Sequence, residues 1–193
     1  MTNVLVLKSS ILGPHSSSAK LIEHWVEQQG NNISLIERDL VANPLPLLDA
    51  NVLAAFSGKA LSEEQEQLLA LSDQLITEIK VSDLLVIGAP MYNFSVPTQL
   101  KLWVDLIARA GVTFQYTENG PQGLLKGKKA KVITTRGGLH QDKETDNLVP
   151  YLKTVLGFVG IEEVEFIYAE GLSMGEDIAN EHLSQAKAAL TGS

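Results

Sequence analysis

Short apolar, β-branched runs recur at Val4 to Leu7, Ile33 to Glu37, Leu84 to Gly88, Ala130 to Thr135 and Val164 to Ala169, and each reads as a strand. Between them the apolar positions fall three and four residues apart, as on one face of a helix. Leu21, Ile22, Trp25 and Val26 give a first helix that starts at a serine cluster and ends at Gly30. Ser62 followed by Gln65 has the spacing of a capping box, and Leu68, Leu71, Leu75 and Ile79 continue one stripe behind it. A third helix runs from about Thr98 to Arg109 through Leu100, Trp103, Val104 and Ile107. A fourth, from about Asn147 to Phe158, carries Pro150 in its opening turn, where a missing N–H costs little. A last helix extends from about Glu176 to Leu190.

Strands alternating with helices imply crossover connections and an α/β fold with a parallel sheet. Five strands joined this way favour the order 2-1-3-4-5. Two connections, Asn43 to Leu61 and Ala110 to Lys129, exceed the roughly 12–15 residues of an ordinary loop, so they are functional or hide short structure of their own. The first is expected to cover the site. The second is rich in aromatics, which favours a cover over a binding site.

The 193 residues suit one domain, 1–193, large enough to bury its own core. A net charge of −8, with basic residues grouped only at Lys126, Lys128, Lys129 and Lys131, disfavours nucleic-acid binding; that stretch reads as a solvated turn. The absence of cysteine removes thiol catalysis and disulfides. Met1 to Asn3 runs directly into the first strand without a signal-peptide pattern, and no apolar stretch reaches the roughly 18 residues of a membrane span. The expected location is the cytoplasm, with no membrane association.

Three loops follow strands, and in a doubly wound sheet such loops share one crevice at the carboxyl ends. The first contains Ser9, Ser10, Ser16, Ser17 and Ser18 and enters a helix, where free N–H groups and the helix dipole favour a phosphate. A single capping serine explains that loop about as well, although three successive serines tilt toward an anion. Met91, Tyr92, Asn93 and Phe94 offer apolar walls and an amide to a planar heteroaromatic ring, or else pack locally on the sheet. Thr135, Arg136, Gly137 and Gly138 bring backbone close to a ligand, or form a plain turn. Gly123 to Lys129 lacks the spacing of a nucleotide-triphosphate loop. His15, His24, His140 and His182 are too scattered to suggest a metal motif, and His24 and His182 read as ordinary surface residues on helices.

Ser9-Ser10-Ile11-Leu12, Ser16 with Ser18, Ala89-Pro90-Met91-Tyr92-Asn93-Phe94, Ala108-Arg109-Ala110-Gly111-Val112-Thr113-Phe114 with Tyr116 to Pro121, and Arg136-Gly137-Gly138 with His140 together resemble the bacterial FMN-dependent, NADH-using azoreductases. These belong to a wider group of flavodoxin-like quinone reductases, and the likeness spans nearly the whole chain. The resemblance implies a flavodoxin-like three-layer sandwich and a homodimer that binds one FMN per subunit, with two active sites at the interface. It assigns FMN contacts to Ser10, Ser16, Ser17, Ser18, Met91, Tyr92, Asn93, Phe94, Thr135, Arg136, Gly137 and Gly138, with His140 near the pyrimidine end of the flavin. Thr135 stands where relatives carry Ser, so the hydroxyl is retained.

Hydride transfer to a flavin needs no side-chain nucleophile, which accords with the lack of a recognisable triad. The expected cycle is ping-pong: NADH reduces FMN and leaves, and a quinone or an aromatic azo compound then takes its place. Phe114, Tyr116 and Phe158 are candidate aromatic walls for these substrates, contributed by the partner subunit, with core packing as the competing role for Phe158. A non-enzymatic flavodoxin-like electron carrier is the alternative. A flavin-free regulatory module ranks lower, because phospho-acceptor chemistry needs carboxylates where this chain has Lys8-Ser9-Ser10.

Overall fold

The structure is a computed structural model that describes residues 1–191. Five parallel strands form its main sheet: β1 (Thr2–Lys8), β2 (Ile33–Asp39), β3 (Leu84–Gly88), β6 (Lys129–Thr135) and β7 (Glu163–Ala169). They lie in the order β2-β1-β3-β6-β7, the 2-1-3-4-5 order expected. Central β1 and β3 are buried on both faces and read as unbroken apolar runs. The edge strands β2 and β7 alternate and carry Glu37, Arg38, Glu163 and Glu165, charges that discourage further strand pairing.

Alternation along the strands divides the core. Leu5 and Leu7 face α3 (Glu63–Val81), α4 (Thr98–Ile107) and α5 (Leu148–Val159), where Leu75, Ile79, Trp103 and Leu152 are buried. Val4 and Val6 face α1 (Ser17–Gln29) and α6 (Glu176–Thr191), against Leu21, Ile22, Trp25 and Leu190. The capping box that opens α3 is complete: Gln65 N donates to Ser62 Oγ, and Ser62 N donates to Gln65 Oε1.

Both long connections contain structure. The first holds α2 (Ala50–Phe56), capped by Asp49 Oδ1, which accepts from Val52 N at 2.9 Å. This helix packs on α3, with Gln65 Nε2 donating to Asn51 Oδ1 and Arg109 lying 5.2 Å above the Phe56 ring. The second connection folds into a hairpin of β4 (Phe114–Thr117) and β5 (Gly120–Gly123) that meets the end of α5. Helix α4 stops at Ile107, two residues before the expected end, because Arg109 and Thr113 close the following turn.

The basic stretch also departs from the expectation. Lys126 and Lys129 are exposed, but Lys131 lies inside β6, is 5% exposed, and pairs with Glu165 at 2.7 Å. Strand alternation puts it on the α1/α6 face of the sheet, beside its register partner Glu165 on β7, so it is not part of a solvated turn.

Candidate functional site

The carboxyl ends of β1, β3 and β6 deliver their loops to one place. Ser9 Oγ donates to Gly88 O at 2.6 Å, and Ser10 Oγ lies 3.1 Å from Tyr92 Oη, which accepts from Ile11 N at 3.2 Å. Met91 N donates to Thr135 O at 2.9 Å, joining the second loop to the third. The resulting depression has a volume of about 330 Å³, with Ser10, Ser17, Met91, Tyr92, Thr135 and Gly137 among its lining residues. A neighbouring hollow of about 580 Å³ runs from Tyr92 and Asn93 along the start of α4 to Tyr151. No residue of 43–61 lines either space, so within the chain that segment does not cover the crevice.

The serines divide their work. Ser16 caps α1, its Oγ accepting from Ala19 N at 3.0 Å, and it also meets Ser18 Oγ at 3.1 Å; both are about 2% exposed. The Ser17 hydroxyl lines the depression and has no partner among the described residues. With the first N–H groups of α1 beside it, this is a place where orphan donors and the helix dipole favour an anion.

Tyr92 and Ser95 exchange both backbone hydrogen bonds, at 3.0 and 3.1 Å, around Asn93 and Phe94 with φ of 49° and 66°. Two consecutive positive φ values are those of a type I′ turn. Asn tolerates the left-handed region, whereas a Phe held there is strained. The turn thrusts out an Asn93 amide that has no partner among the described residues, and a half-exposed Phe94 ring set edge-on to His140 at 5.6 Å. His140 Nδ1 is 2.9 Å from Thr145 Oγ1. Its ring lies directly over Gly138, where a Cβ would come within 2.9 Å of Nε2.

In the third loop the Gly137 and Gly138 N–H groups have no partner among the described residues, while Arg136 N donates to Ala169 O. The Arg136 side chain does not reach the crevice: it is fully buried behind the loop, between Glu170 and Asp146. Its charge also lowers the Tyr168 phenol, but burial outweighs that and holds the group above its ordinary value. Phe114, Tyr116 and Phe158 form a group of their own, with the Phe114 centroid 5.5 Å from Tyr116 and 4.3 Å from Phe158, and line neither space of the chain. Phe158 is partly buried against the core, whereas Tyr116 is 75% exposed.

Sequence reasoning missed Leu172 and Ser173, which line the depression from beyond β7. Their signal was their position just after the fifth strand, the same place in the fold as the other three loops. His182 is not an ordinary surface residue, since its Nδ1 lies 2.7 Å from Glu170 O.

A doubly wound sheet in this order, with an anion-ready helix start and unpartnered amide donors around one crevice, defines a flavodoxin-like nucleotide-cofactor protein. The chain belongs to the flavodoxin-like fold family, whose model matches residues 2–192. It is 60% identical over 192 residues to FMN-dependent NADH:quinone oxidoreductase 1 of Photobacterium profundum, covering 98% of each chain. It is also 60% identical over 191 residues to the FMN-dependent NADH:quinone oxidoreductase of Vibrio parahaemolyticus, again over 98% of each. The FMN-dependent NADH-azoreductase of Bacillus anthracis str. Ames Ancestor, solved in complex with FMN, superposes with a TM-score of 0.86 at 26% identity over 98% of both chains.

Proposed function

We propose that the chain is an FMN-dependent NADH:quinone oxidoreductase with azoreductase activity, built as a single domain. The observation that carries this reading is that the Ser17 hydroxyl and the Gly137 N–H, neither bonded within the described chain, share one depression, with the unpartnered Asn93 amide at the adjoining hollow and the Gly138 N–H next along the same loop. Its relatives of the same length carry that activity in their names. When bound, FMN accepts two electrons from NADH as a hydride and passes them to a quinone or an aromatic azo compound.

The protein's part is to bind and orient. Ser17 and the start of α1 hold the phosphate, with Ser16 and Ser18 fixing that turn from behind. Ser10, Tyr92, Met91 and Thr135 line the path onward, and Asn93, Gly137 and Gly138 donate to the polar edge of the ring. Phe94 and His140 bound the ring at its outer end. Arg136 contributes backbone to the loop, and its guanidinium acts from below.

We further infer a cytoplasmic homodimer, the cytoplasm being where NADH is supplied. Ile11, Leu12, Phe94, Leu139 and Met174 are exposed apolar residues on or near the loops of the crevice, a pattern of interaction surfaces. Phe114, Tyr116 and Phe158 stand away from their own crevice, and a second copy would bring them over it as aromatic walls. Titration of apoprotein with FMN, followed by flavin fluorescence, tests the cofactor. Initial rates with NADH and a quinone test the cycle, for which parallel double-reciprocal lines are expected. No saturable FMN binding would end the proposal.

A further inference from the structure

Glu170 follows β7, is 8% exposed, and turns its carboxylate back under the third loop of the crevice. Its Oε1 accepts from His140 N at 2.7 Å, Gln141 N at 2.7 Å and Arg136 Nη1 at 3.1 Å. All three donors come from the loop that carries Gly137 and Gly138. Arg136 is anchored in turn: Nε donates to Thr134 Oγ1 at 3.3 Å, and the guanidinium stands 5.2 Å from the Tyr168 ring. Arg136 Nη2 lies 2.8 Å from Asp146 Oδ2, an ion-pair contact whose angle falls short of a hydrogen bond. Asp146 Oδ1 accepts from Leu148 N and Val149 N at the start of α5.

Burying a charged group costs desolvation that its ion pair does not reliably return, so a network of this kind is weak evidence for a stability role. A loop with two adjacent glycines, by contrast, is free to wander and loses much entropy when it is ordered on a ligand. Here it is tied at Arg136 N to Ala169 O and at His140 and Gln141 to Glu170, and Gly137 O and Gly138 O accept from Ser173 N and Gly171 N of the segment that Glu170 opens, while the N–H groups of the two glycines have no partner among the described residues. Order installed before binding is not lost at binding.

We propose that Glu170 is a positioning residue that pre-sets the Gly137–Gly138 donors for the polar edge of the flavin, acting through the backbone of His140 and Gln141 and through Arg136. This rests on the FMN reading above. Glu170→Ala removes the acceptor and is expected to weaken FMN binding by about tenfold or more. Glu170→Gln keeps an Oε1 at the same reach, and Arg136 keeps Asp146, so its affinity is expected to stay within about threefold of wild type. Glu78→Ala breaks the comparable Arg38–Glu78 pair between β2 and α3 and should lower stability with FMN affinity intact. In wild-type apoprotein, the His140 and Gln141 amides should exchange with deuterium more slowly than those of Gly137 and Gly138. Wild-type affinity in a folded Glu170→Ala protein, or equal loss in both Glu170 variants, overturns the proposal. So does unprotected exchange at His140 and Gln141, which decides the matter if Glu170→Ala does not fold. Failure of the wild type itself to bind FMN refutes the cofactor reading instead.

Discussion

Gly123→Ala puts the packing of the aromatic hairpin to a severe test. Strand β5 crosses the end of α5 so closely that a Cβ on Gly123 would fall inside 3.0 Å of Gly160 N, Gly160 Cα and Val159 C. All three are backbone atoms, so no rotamer change can relieve the clash, and hairpin and helix end must part by roughly 1 Å. Parting stretches the 2.9 Å bond from Leu125 N to Val159 O and draws Phe114 away from Phe158, whose centroids are 4.3 Å apart. Overpacking of this kind costs about 1–3 kcal/mol, and the weakened backbone bond adds about 1 kcal/mol. With a urea slope of about 2 kcal/mol/M, a loss of about 3 kcal/mol moves the unfolding midpoint down by roughly 1.5 M. FMN affinity should hold, because the hairpin lines neither space of the crevice, while the KM for a quinone should rise as the aromatic wall shifts. A midpoint within about 0.2 M of wild type, together with an unchanged KM, would refute this account of the hairpin.

Serine substitutions should separate capping from binding: Ser16→Ala is expected to cost about 1 kcal/mol in urea unfolding, whereas Ser17→Ala leaves stability alone and weakens FMN by about fivefold in a fluorescence titration. Asn93→Leu loses the amide and places a branched side chain at φ 49°, so FMN retention and stability should both fall, by about 1 kcal/mol each; unchanged affinity would remove Asn93 from the ring edge. Tyr151 has a buried hydroxyl without a hydrogen-bond partner among the described residues, and burial, then the charge of Asp105, push its phenol up to about 12. The unfolded chain ionises first, near pH 10, so the stability this group contributes is full below about pH 10 and is lost as pH rises toward about 12. Tyr151→Phe should be at least as stable at pH 7 and show a flatter decline across that alkaline window in denaturant titrations.

The legible elements were those whose own residues suffice. Leu84 to Gly88 is apolar throughout because both faces of β3 are covered, and Ser62 with Gln65 builds a complete cap from local contacts. Helix α2 was hidden because seven residues with Val52 and Ala55 as their buried positions give too little periodicity to read. The hairpin left a trace in Asn119-Gly120, but its strands have only four residues each and are mostly exposed, and the second, Gly-Pro-Gln-Gly, carries no strand-like pattern. Arg136 illustrates a deeper limit. The resemblance makes it an FMN contact, and nothing local shows that Asp146, just before α5, and Glu170, just after β7, converge on its buried side chain. The three loops were legible as one site because strand order alone brings them together. The fate of each serine was not, since it depends on which hydroxyl the helix turns inward.

The most direct test of the central claim is anaerobic stopped-flow absorbance of the FMN-loaded protein, mixed first with NADH and then with a quinone. Rapid bleaching of the flavin by NADH and recovery of its colour with quinone is the expected result. Flavin that stays yellow with NADH and with NADPH would contradict the account and leave an electron carrier that takes its electrons from a partner protein.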